Sequence, residues 1–256
     1  MIKNDSVLQE TFTLPSMGKI YNPPIDPVIT LRSMTTFDEM KRLNANNSDR
    51  PYKIMCNMID DCILEDLPIS VYDMCLSDYE FLLHKLRVVT YGSLYKSTSI
   101  CPFCGSTNMD EDINLDELEV NYYNDECEKY FTVELPQTKH IIGIRLQTPR
   151  LIDDINVRIN EIKKKSPEAD INLTYLYTLR SLVKTIDGEA KNPIEVEDFV
   201  QKLPMMDTNY ILNYNEILSE RIGISKVVKH TCSGCRLDYT TPFRQTSEFF
   251  RPRVDR

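Results

Sequence analysis

The chain has 256 residues, enough for one large domain or two closely packed ones, and its 41% hydrophobic and 27% charged residues are typical of a soluble globular protein. No apolar run approaches the roughly 20 residues of a membrane span, and the first residues lack a signal-peptide core, so we expect a cytosolic protein. The net charge of −9 disfavours a broad phosphate-binding surface, and 7 glycines without tryptophan leave little material for phosphate-cradling loops.

The first predicted part, residues 1–36, is an extended segment. Residues 11–34 hold four prolines and one glycine among short apolar stretches, which favours extended backbone lying along a surface. Within it, residues 14–21 (LPSMGKIY) are apolar and aromatic, but Pro15 lacks a backbone donor and Gly18 loosens the chain, which disfavours a central strand. We expect this stretch either to lie on its own domain or to contact a neighbouring protein.

The second predicted part, residues 37–93, is helical. A short helix over 35–44 is followed by a longer one over 49–64. The strongest pattern covers 76–92 (LSDYEFLLHKLRVVTYG), where Ser77 and Glu80 predict a capping box and Gly92 predicts the end of the helix. The apolar stripe of this helix predicts core residues at Tyr79, Leu82, Leu83, Leu86 and Val89.

The third predicted part, residues 151–224, is an inserted helical bundle. Two strands, over 130–136 and 140–149, come before it. Amphipathic helical patterns then follow in succession, and one of them opens with Asn192 as cap and Pro193 at the first helical position. The four predicted helices cover 148–165, 171–188, 191–204 and 206–223.

The cysteines of a non-secreted chain are expected to be reduced. Cys56, Cys62 and Cys75 stand among apolar residues, where cysteine usually behaves as a small buried hydrophobe, and Cys127 stands alone in an acidic run without an evident role. The other four form two Cys-x-x-Cys pairs: Cys101 with Cys104, and Cys232 with Cys235.

The two Cys-x-x-Cys pairs predict a structural zinc site. This spacing places two thiolates on one side of a tight knuckle, as half of a tetrahedral site requires, and Pro102, Gly105 and Gly234 suit such turns. Strand-like runs precede each pair and follow the second. A redox motif has the same spacing, and two unrelated reduced turns are the plain alternative. His230 could replace one sulfur, but we expect it to be an exposed neighbour of the knuckle.

The separation of the pairs predicts an unusual arrangement. The stretch between Cys104 and Cys232 is 127 residues long, against roughly 15 to 20 in a compact ribbon. The ribbon is therefore predicted to be split, with its parts in residues 94–150 and 225–250. The predicted fold class is α+β: mostly a helical bundle, with short strands and a split four-cysteine zinc ribbon that binds one structural Zn²⁺ through Cys101, Cys104, Cys232 and Cys235. Four cysteine ligands leave no coordination position open for substrate, so the predicted zinc is not catalytic.

Catalysis finds little support in the sequence. The three histidines, His84, His140 and His230, are scattered, and His84 is expected to be a solvent-facing or hydrogen-bonded helix residue. The acidic run 109–119 is expected to be a solvated loop that leads into a strand. Asp60, Asp61, Asp153 and Asp154 are expected at exposed helix positions, and residues 247–256 (SEFFRPRVDR) form either a docking peptide or a frayed end.

The order of several motifs resembles a known family. These motifs are LPSMGKIY, ITLRSMTTFDEM, LSDYEFLLHKLRVVTYGSLYKSTSICPFCG and FTVELP followed by IGIRLQTP, between about Phe12 and Arg150. In this order they are similar to the baseplate hub assembly proteins of T-even-type contractile-tailed phages. The stretch from about Asp153 to Ile224 matches poorly, which leaves partner-specific contacts there open.

The resemblance implies a noncatalytic protein that helps to build, or forms part of, the central hub of a phage baseplate, as a structural protein or an assembly chaperone. Its implied partners are baseplate hub and tail proteins, with no nucleic acid, no membrane and no small-molecule substrate. The implied location is the host cytoplasm during assembly or the tail baseplate of the virion. The alternative is a zinc-ribbon regulatory protein that binds nucleic acid, for which only Lys226, Lys229, Arg236 and Arg244 lie near the ribbon.

Overall fold

Groups of helices and groups of strands follow one another along the chain in the computed structural model, which describes residues 7–45, 48–165, 172–243 and 249–250. The helices are α1 (Thr36–Asn44), α2 (Pro51–Asp60), α3 (Leu76–Tyr91), α4 (Pro149–Lys165), α5 (Leu173–Leu182), α6 (Pro193–Lys202) and α7 (Met205–Arg221). The strands are β1 (Gln9–Thr13), β2 (Val28–Arg32), β3 (Leu94–Ile100), β4 (Thr107–Asn114), β5 (Val120–Asn121), β6 (Thr132–Glu134), β7 (Ile141–Ile144), β8 (Val183–Ile186), β9 (Gly223–Ile224), β10 (Val227–Thr231) and β11 (Asp238–Pro242).

The described strands form small antiparallel sheets rather than one large one. Four are two-stranded, β1–β2, β3–β4, β5–β9 and β10–β11, and one is three-stranded in the order β6–β7–β8. The mixed α and β character predicted from the sequence is therefore confirmed. No helix in the described ranges is both long and apolar enough to cross a lipid bilayer.

The first hydrophobic core forms around α3. The predicted stripe of this helix, including Leu82 and Leu86, is buried as expected, but Phe81 and Val88 on other sides are buried too. The helix is enclosed because the β1–β2 hairpin, α2 and the β3–β4 hairpin all contribute side chains to the same core. The capping box is wrong: Cys75 is the N-cap and makes no side-chain cap bond, and Glu80 pairs with Lys226 instead.

The amino-terminal segment belongs to this first core. Leu14 and Ser16 are fully buried, the Ser16 backbone N–H donates to Asp78 Oδ1 (3.0 Å), and the Tyr21 hydroxyl donates to Asp78 Oδ2 (2.5 Å). Residues 14–21 therefore lie against the first core of their own chain, which is one of the two arrangements expected for them. Lys19 is exposed and Ile20 is half-buried, so contact of this stretch with a neighbouring protein stays a prediction. Residues 11–34 include β1 and β2, and some of their side chains, such as Ile29 and Leu31, are buried in the first core.

The carboxy-terminal aromatic residues are also part of the first core. Phe249 and Phe250 are 2% and 5% exposed, and the Phe249 ring lies 5.6 Å from that of Tyr95. These two phenylalanines are therefore not available for docking to another protein. The remaining residues of the predicted tail, 247–248 and 251–256, lie outside the described residues.

The second hydrophobic core forms where α5, α6 and α7 pack around the three-stranded sheet. The helix predicted over 171–188 ends at Leu182, and the chain continues as β8. Three of the four β8 residues are β-branched, which favours a strand over another helical turn, and Val183 and Ile186 at its ends are buried. The last predicted helices agree with α6 and α7, and the Asn192 side chain caps α6 as expected.

Asp153, on α4, connects this helix to α2 and to Tyr72, which belong to the first core. Its Oδ2 accepts hydrogen bonds from the Lys53 backbone N–H (2.9 Å), at the first turn of α2, and from the Tyr72 hydroxyl (3.1 Å). The predicted exposure of Asp153 is wrong, since the residue is fully buried; Asp154 beside it is exposed and pairs with Arg50. A buried carboxylate at the amino terminus of a helix is favourable because it accepts from N–H groups that have no partner within the helix.

His84 should make folding stability depend on pH. The residue is 1% exposed, its Nε2 lies 3.0 Å from the Leu115 carbonyl oxygen, and burial lowers the imidazole pKa from 6.5 to about 4. The unfolded chain therefore binds more protons between these two values, so the free energy of unfolding should fall by up to about 3 kcal/mol as the pH drops from 6.5 to 4. Urea titrations along this pH range measure the slope, and His84→Gln should reduce it; an unchanged slope in the variant would contradict the assignment.

Candidate metal centre

Two knuckles of the same backbone design carry the paired cysteines. The first joins β3 to β4 and the second joins β10 to β11. In the first, the Cys101 N–H donates to the Ser106 carbonyl (2.9 Å) and the Gly105 N–H donates to the Cys101 carbonyl (3.0 Å). In the second, the Cys232 N–H donates to the Leu237 carbonyl (3.0 Å) and the Arg236 N–H donates to the Cys232 carbonyl (2.9 Å). The Cys-x-x-Cys spacing therefore produces the same local turn twice.

The glycines of the two knuckles have different roles. Gly105 has a φ of 71°, which suits glycine, whereas the corresponding residue of the second knuckle is Arg236 with a φ of 62°. At position 234 glycine is needed for a steric reason, because a Cβ atom there would lie 2.7 Å from Ser106 Oγ in the first knuckle. The absence of a side chain at Gly234 thus allows the two knuckles to approach each other.

The four thiols of the knuckles form one cluster. Cys101 Sγ lies 3.7 Å from Cys235 Sγ, Cys104 Sγ lies 3.6 Å from Cys232 Sγ, and all four sulfur atoms are within 4.8 Å of one another. A tetrahedral zinc with Zn–S bonds of about 2.3 Å separates its sulfurs by about 3.8 Å. The cluster therefore has dimensions compatible with metal binding, and the stretch between Cys104 and Cys232 does not keep the pairs apart.

Local hydrogen bonds favour the thiolate form of two cysteines. Contact with the Ser106 side chain lowers the pKa of the Cys104 thiol, and the Cys235 backbone N–H is the main cause that lowers the pKa of Cys232 to about 6. The Leu237 backbone N–H acts in the same direction on Cys235, but burial and the neighbouring thiols raise its pKa to about 12. A bound cation would stabilise all four sulfurs as thiolates, since metals bind the deprotonated sulfur.

The other cysteines lie in the hydrophobic cores. Cys56, Cys62 and Cys75 are buried in or beside the first core, as predicted, and burial raises the pKa of Cys62 to about 12. Cys127, for which no role was evident from the sequence, is 1% exposed and belongs to the second core. High thiol pKa values in apolar surroundings are typical of structural rather than reactive cysteines.

A chain of buried polar groups lies beneath the thiol cluster and joins the two hairpins. The Asn108 amide donates to the Tyr239 hydroxyl (2.8 Å), which lies 2.6 Å from Ser99 Oγ, and Ser99 donates to Glu111 Oε2 (2.7 Å). The same Glu111 oxygen lies 2.8 Å from His230 Nδ1. Sequence reasoning missed these contacts, because the partners in the two different hairpins are more than 100 residues apart. The alternation of polar and apolar residues in the strands was the only signal in the sequence.

Two sequence expectations near the site are wrong. His230 is 6% exposed rather than an exposed neighbour of the knuckle, and its two ring nitrogens lie 2.8 Å from Glu111 Oε2 and from Thr241 Oγ1. The acidic run 109–119 is not a solvated loop, because residues 107–114 form β4. The first error arises because His230 hydrogen-bonds to the other hairpin through Glu111, and the second because residues 107–114 pair with β3.

Within the described part of the chain, the basic residues near the cluster do not form a continuous positive surface. Lys226 pairs with Glu80 at 2.9 Å, and Lys229 shares its side of the molecule with the acidic residues Glu111, Asp112 and Glu117. Arg236 is exposed at the second knuckle, and Arg244 lies outside the described residues. This distribution gives little support to phosphate binding, which depends on clustered cations.

A family model described as T4 bacteriophage base plate protein matches residues 8–251, which is nearly the whole chain and includes both knuckles. No curated protein and no solved structure matches the chain.

Proposed function

We propose that this chain, which belongs to the T4 bacteriophage base plate protein family, is a noncatalytic baseplate component that acts by binding other hub and tail proteins. The match over residues 8–251 supports a baseplate role. The observation that carries binding as the mode of action is the orientation of helix α1. In this proposal the protein works in the host cytoplasm during assembly, as a chaperone or as a part that stays in the virion tail.

Helix α1 turns its polar side inward and its apolar side outward. Asp38 and Arg42 lie one turn apart on the inner side, where Asp38 is 1% exposed and pairs with Arg32. The opposite side carries Phe37, Met40 and Leu43, with exposures of 62%, 60% and 38%. An amphipathic helix on a monomer normally has the reverse orientation, so this exposed stripe is typical of a surface that another protein covers.

The charges beside the stripe are already neutralised within the chain. Lys41 pairs with Asp61, and Arg42 pairs with Glu39 at 2.7 Å. A partner therefore needs an apolar surface here and no charged groups that complement Lys41 or Arg42. Burial of Phe37 and Met40 would supply most of the favourable free energy of binding.

The test is a phage whose gene carries Met40→Glu. A charge at this position should leave the isolated protein folded, because exposed substitutions change stability by about 0.5 kcal/mol or less. An unpaired carboxylate inside an apolar interface is strongly unfavourable, so we expect roughly ten-fold fewer complete baseplates by electron microscopy. Met206→Glu on α7 is the matched control, since Met206 is 59% exposed. Normal baseplates with Met40→Glu would remove α1 from the mechanism, and normal baseplates without the gene would refute the proposed function.

We further propose that the four-cysteine cluster holds one structural zinc ion. Cys101, Cys104, Cys232 and Cys235 would supply four sulfur ligands, and the inter-thiol distances support this assignment. The ion would fasten the middle of the chain to its end and so keep the two hairpins together while the protein is bound in the baseplate. Purified virions show whether the protein and its zinc remain in the particle.

A further inference from the structure

We infer that Asn108 is a positioning residue for the thiol cluster: it holds the second knuckle against the first hairpin, so the four thiols are gathered before a metal ion enters. This inference rests on the proposed zinc site. Asn108 belongs to β4 and is 3% exposed, although its neighbour Met109 on the other face of the strand is 74% exposed.

The side chain of Asn108 binds the second knuckle directly. Its Oδ1 accepts hydrogen bonds from the Ser233 backbone N–H (3.0 Å) and from the Ser233 hydroxyl (2.6 Å). Ser233 follows Cys232 in the chain and lies inside the Cys-x-x-Cys turn. The position of Asn108 therefore determines where the backbone of the second knuckle lies relative to the first.

Asparagine suits this position because one side chain supplies both an acceptor and a donor. While Oδ1 accepts from Ser233, the amide nitrogen donates to the Tyr239 hydroxyl on β11 (2.8 Å). Tyr239 in turn lies 2.6 Å from Ser99 Oγ on β3. An apolar residue at position 108 would remove the acceptor of the Ser233 N–H and hydroxyl and one of the two partners of the buried Tyr239 hydroxyl. Loss of a hydrogen bond from a buried polar group is costly in a low-dielectric interior.

None of these bonds uses a thiol, so they can form without metal. The pairing of Glu111 with His230 also joins β4 to β10 without a sulfur atom. Residues that orient metal ligands in this way typically change metal affinity about 10- to 100-fold when they are replaced. We therefore expect Asn108 to affect zinc affinity although it does not touch the metal.

The experiment compares the full chain with the variants Asn108→Leu, Asn108→Asp and Met109→Ala. Zinc affinity is measured by competition with a chromophoric chelator, and the exchange rate of the Ser233 amide hydrogen is measured in metal-free protein. The wild type and Met109→Ala should show slow Ser233 exchange without metal and equal affinities. Asn108→Leu should bind zinc about 10- to 100-fold more weakly and exchange Ser233 rapidly. Asn108→Asp keeps the acceptor oxygen and should recover most of both properties.

The outcomes separate this inference from the proposed zinc site. Fast Ser233 exchange in metal-free wild type, or wild-type zinc affinity in Asn108→Leu, would overturn the role of Asn108 while the zinc site stands. If the wild type binds no zinc but its Ser233 amide is protected, the zinc site is refuted, whereas the hydrogen bond from Ser233 to Asn108 stands. If Asn108→Leu does not fold, the role of Asn108 is decided by the Asn108→Asp variant and by Ser233 exchange in the wild type. An Asn108→Asp protein with weak zinc binding and fast Ser233 exchange would contradict the acceptor role of Asn108.

Discussion

Cys104→Ser is expected to lower the stability of the whole protein by several kcal/mol, although Cys104 is an exposed residue. An exposed substitution without a metal ligand role changes stability by about 0.5 kcal/mol or less. Structural zinc contributes on the order of 10 kcal/mol in zinc-finger peptides, and a ligand that binds only the native state stabilises the entire cooperative unit. A large loss at this site would therefore come from weakened metal binding rather than from packing.

The measurement combines thermal unfolding with metal analysis of the purified protein. Cys104→Ser should lower the melting temperature and the zinc content together. Cys127→Ala is the control, because Cys127 is buried in the second core, outside the cluster, and its replacement should leave zinc content unchanged. A wild-type protein with four free thiols and little zinc, or a Cys104→Ser variant that melts like wild type, would show that the cluster does not hold a stabilising metal.

Leu86→Ala is expected to cost roughly 2 to 5 kcal/mol, because the side chain is fully buried in α3 and its removal leaves a cavity that the surroundings fill only in part. For a chain of this size, each kcal/mol corresponds to about 2 to 4 °C in melting temperature. The matched control is Leu94→Ala, since Leu94 begins β3 and is 63% exposed. Equal melting temperatures for the two variants would contradict the central position of α3 in the first core.

Local patterns in the sequence were sufficient for most helices and for the knuckles. The stripe of α3 and the capped start of α6 were predictable because the spacing of apolar residues and the capping chemistry act within a few residues. The Cys-x-x-Cys turns are local for the same reason. β8 was missed because a helical period and a short strand cannot be distinguished over four residues, and the pairing with β7 decided the outcome.

Burial was predicted less well than secondary structure. Asp153 and His230 were expected to be exposed, yet both are buried with hydrogen-bond partners from distant parts of the chain. Phe249 and Phe250 were considered for docking, yet they complete the first core. In each case the sequence near the residue is compatible with either environment, because burial depends on what packs against a side chain and not on its neighbours in the chain.

Side-chain chemistry at short spacing was enough to predict most helices, the two Cys-x-x-Cys turns and the resemblance to a baseplate family. Only the tertiary structure decided that Asn108 would meet Ser233 and that residues 14–21 would be held by Asp78. It also decided that α1 would turn Phe37 and Met40 to the solvent. Hydrophobic burial and the hydrogen bonding of polar groups depend on packing throughout the molecule. A local pattern therefore predicts which face of a segment is apolar and which is polar, but not which face is buried.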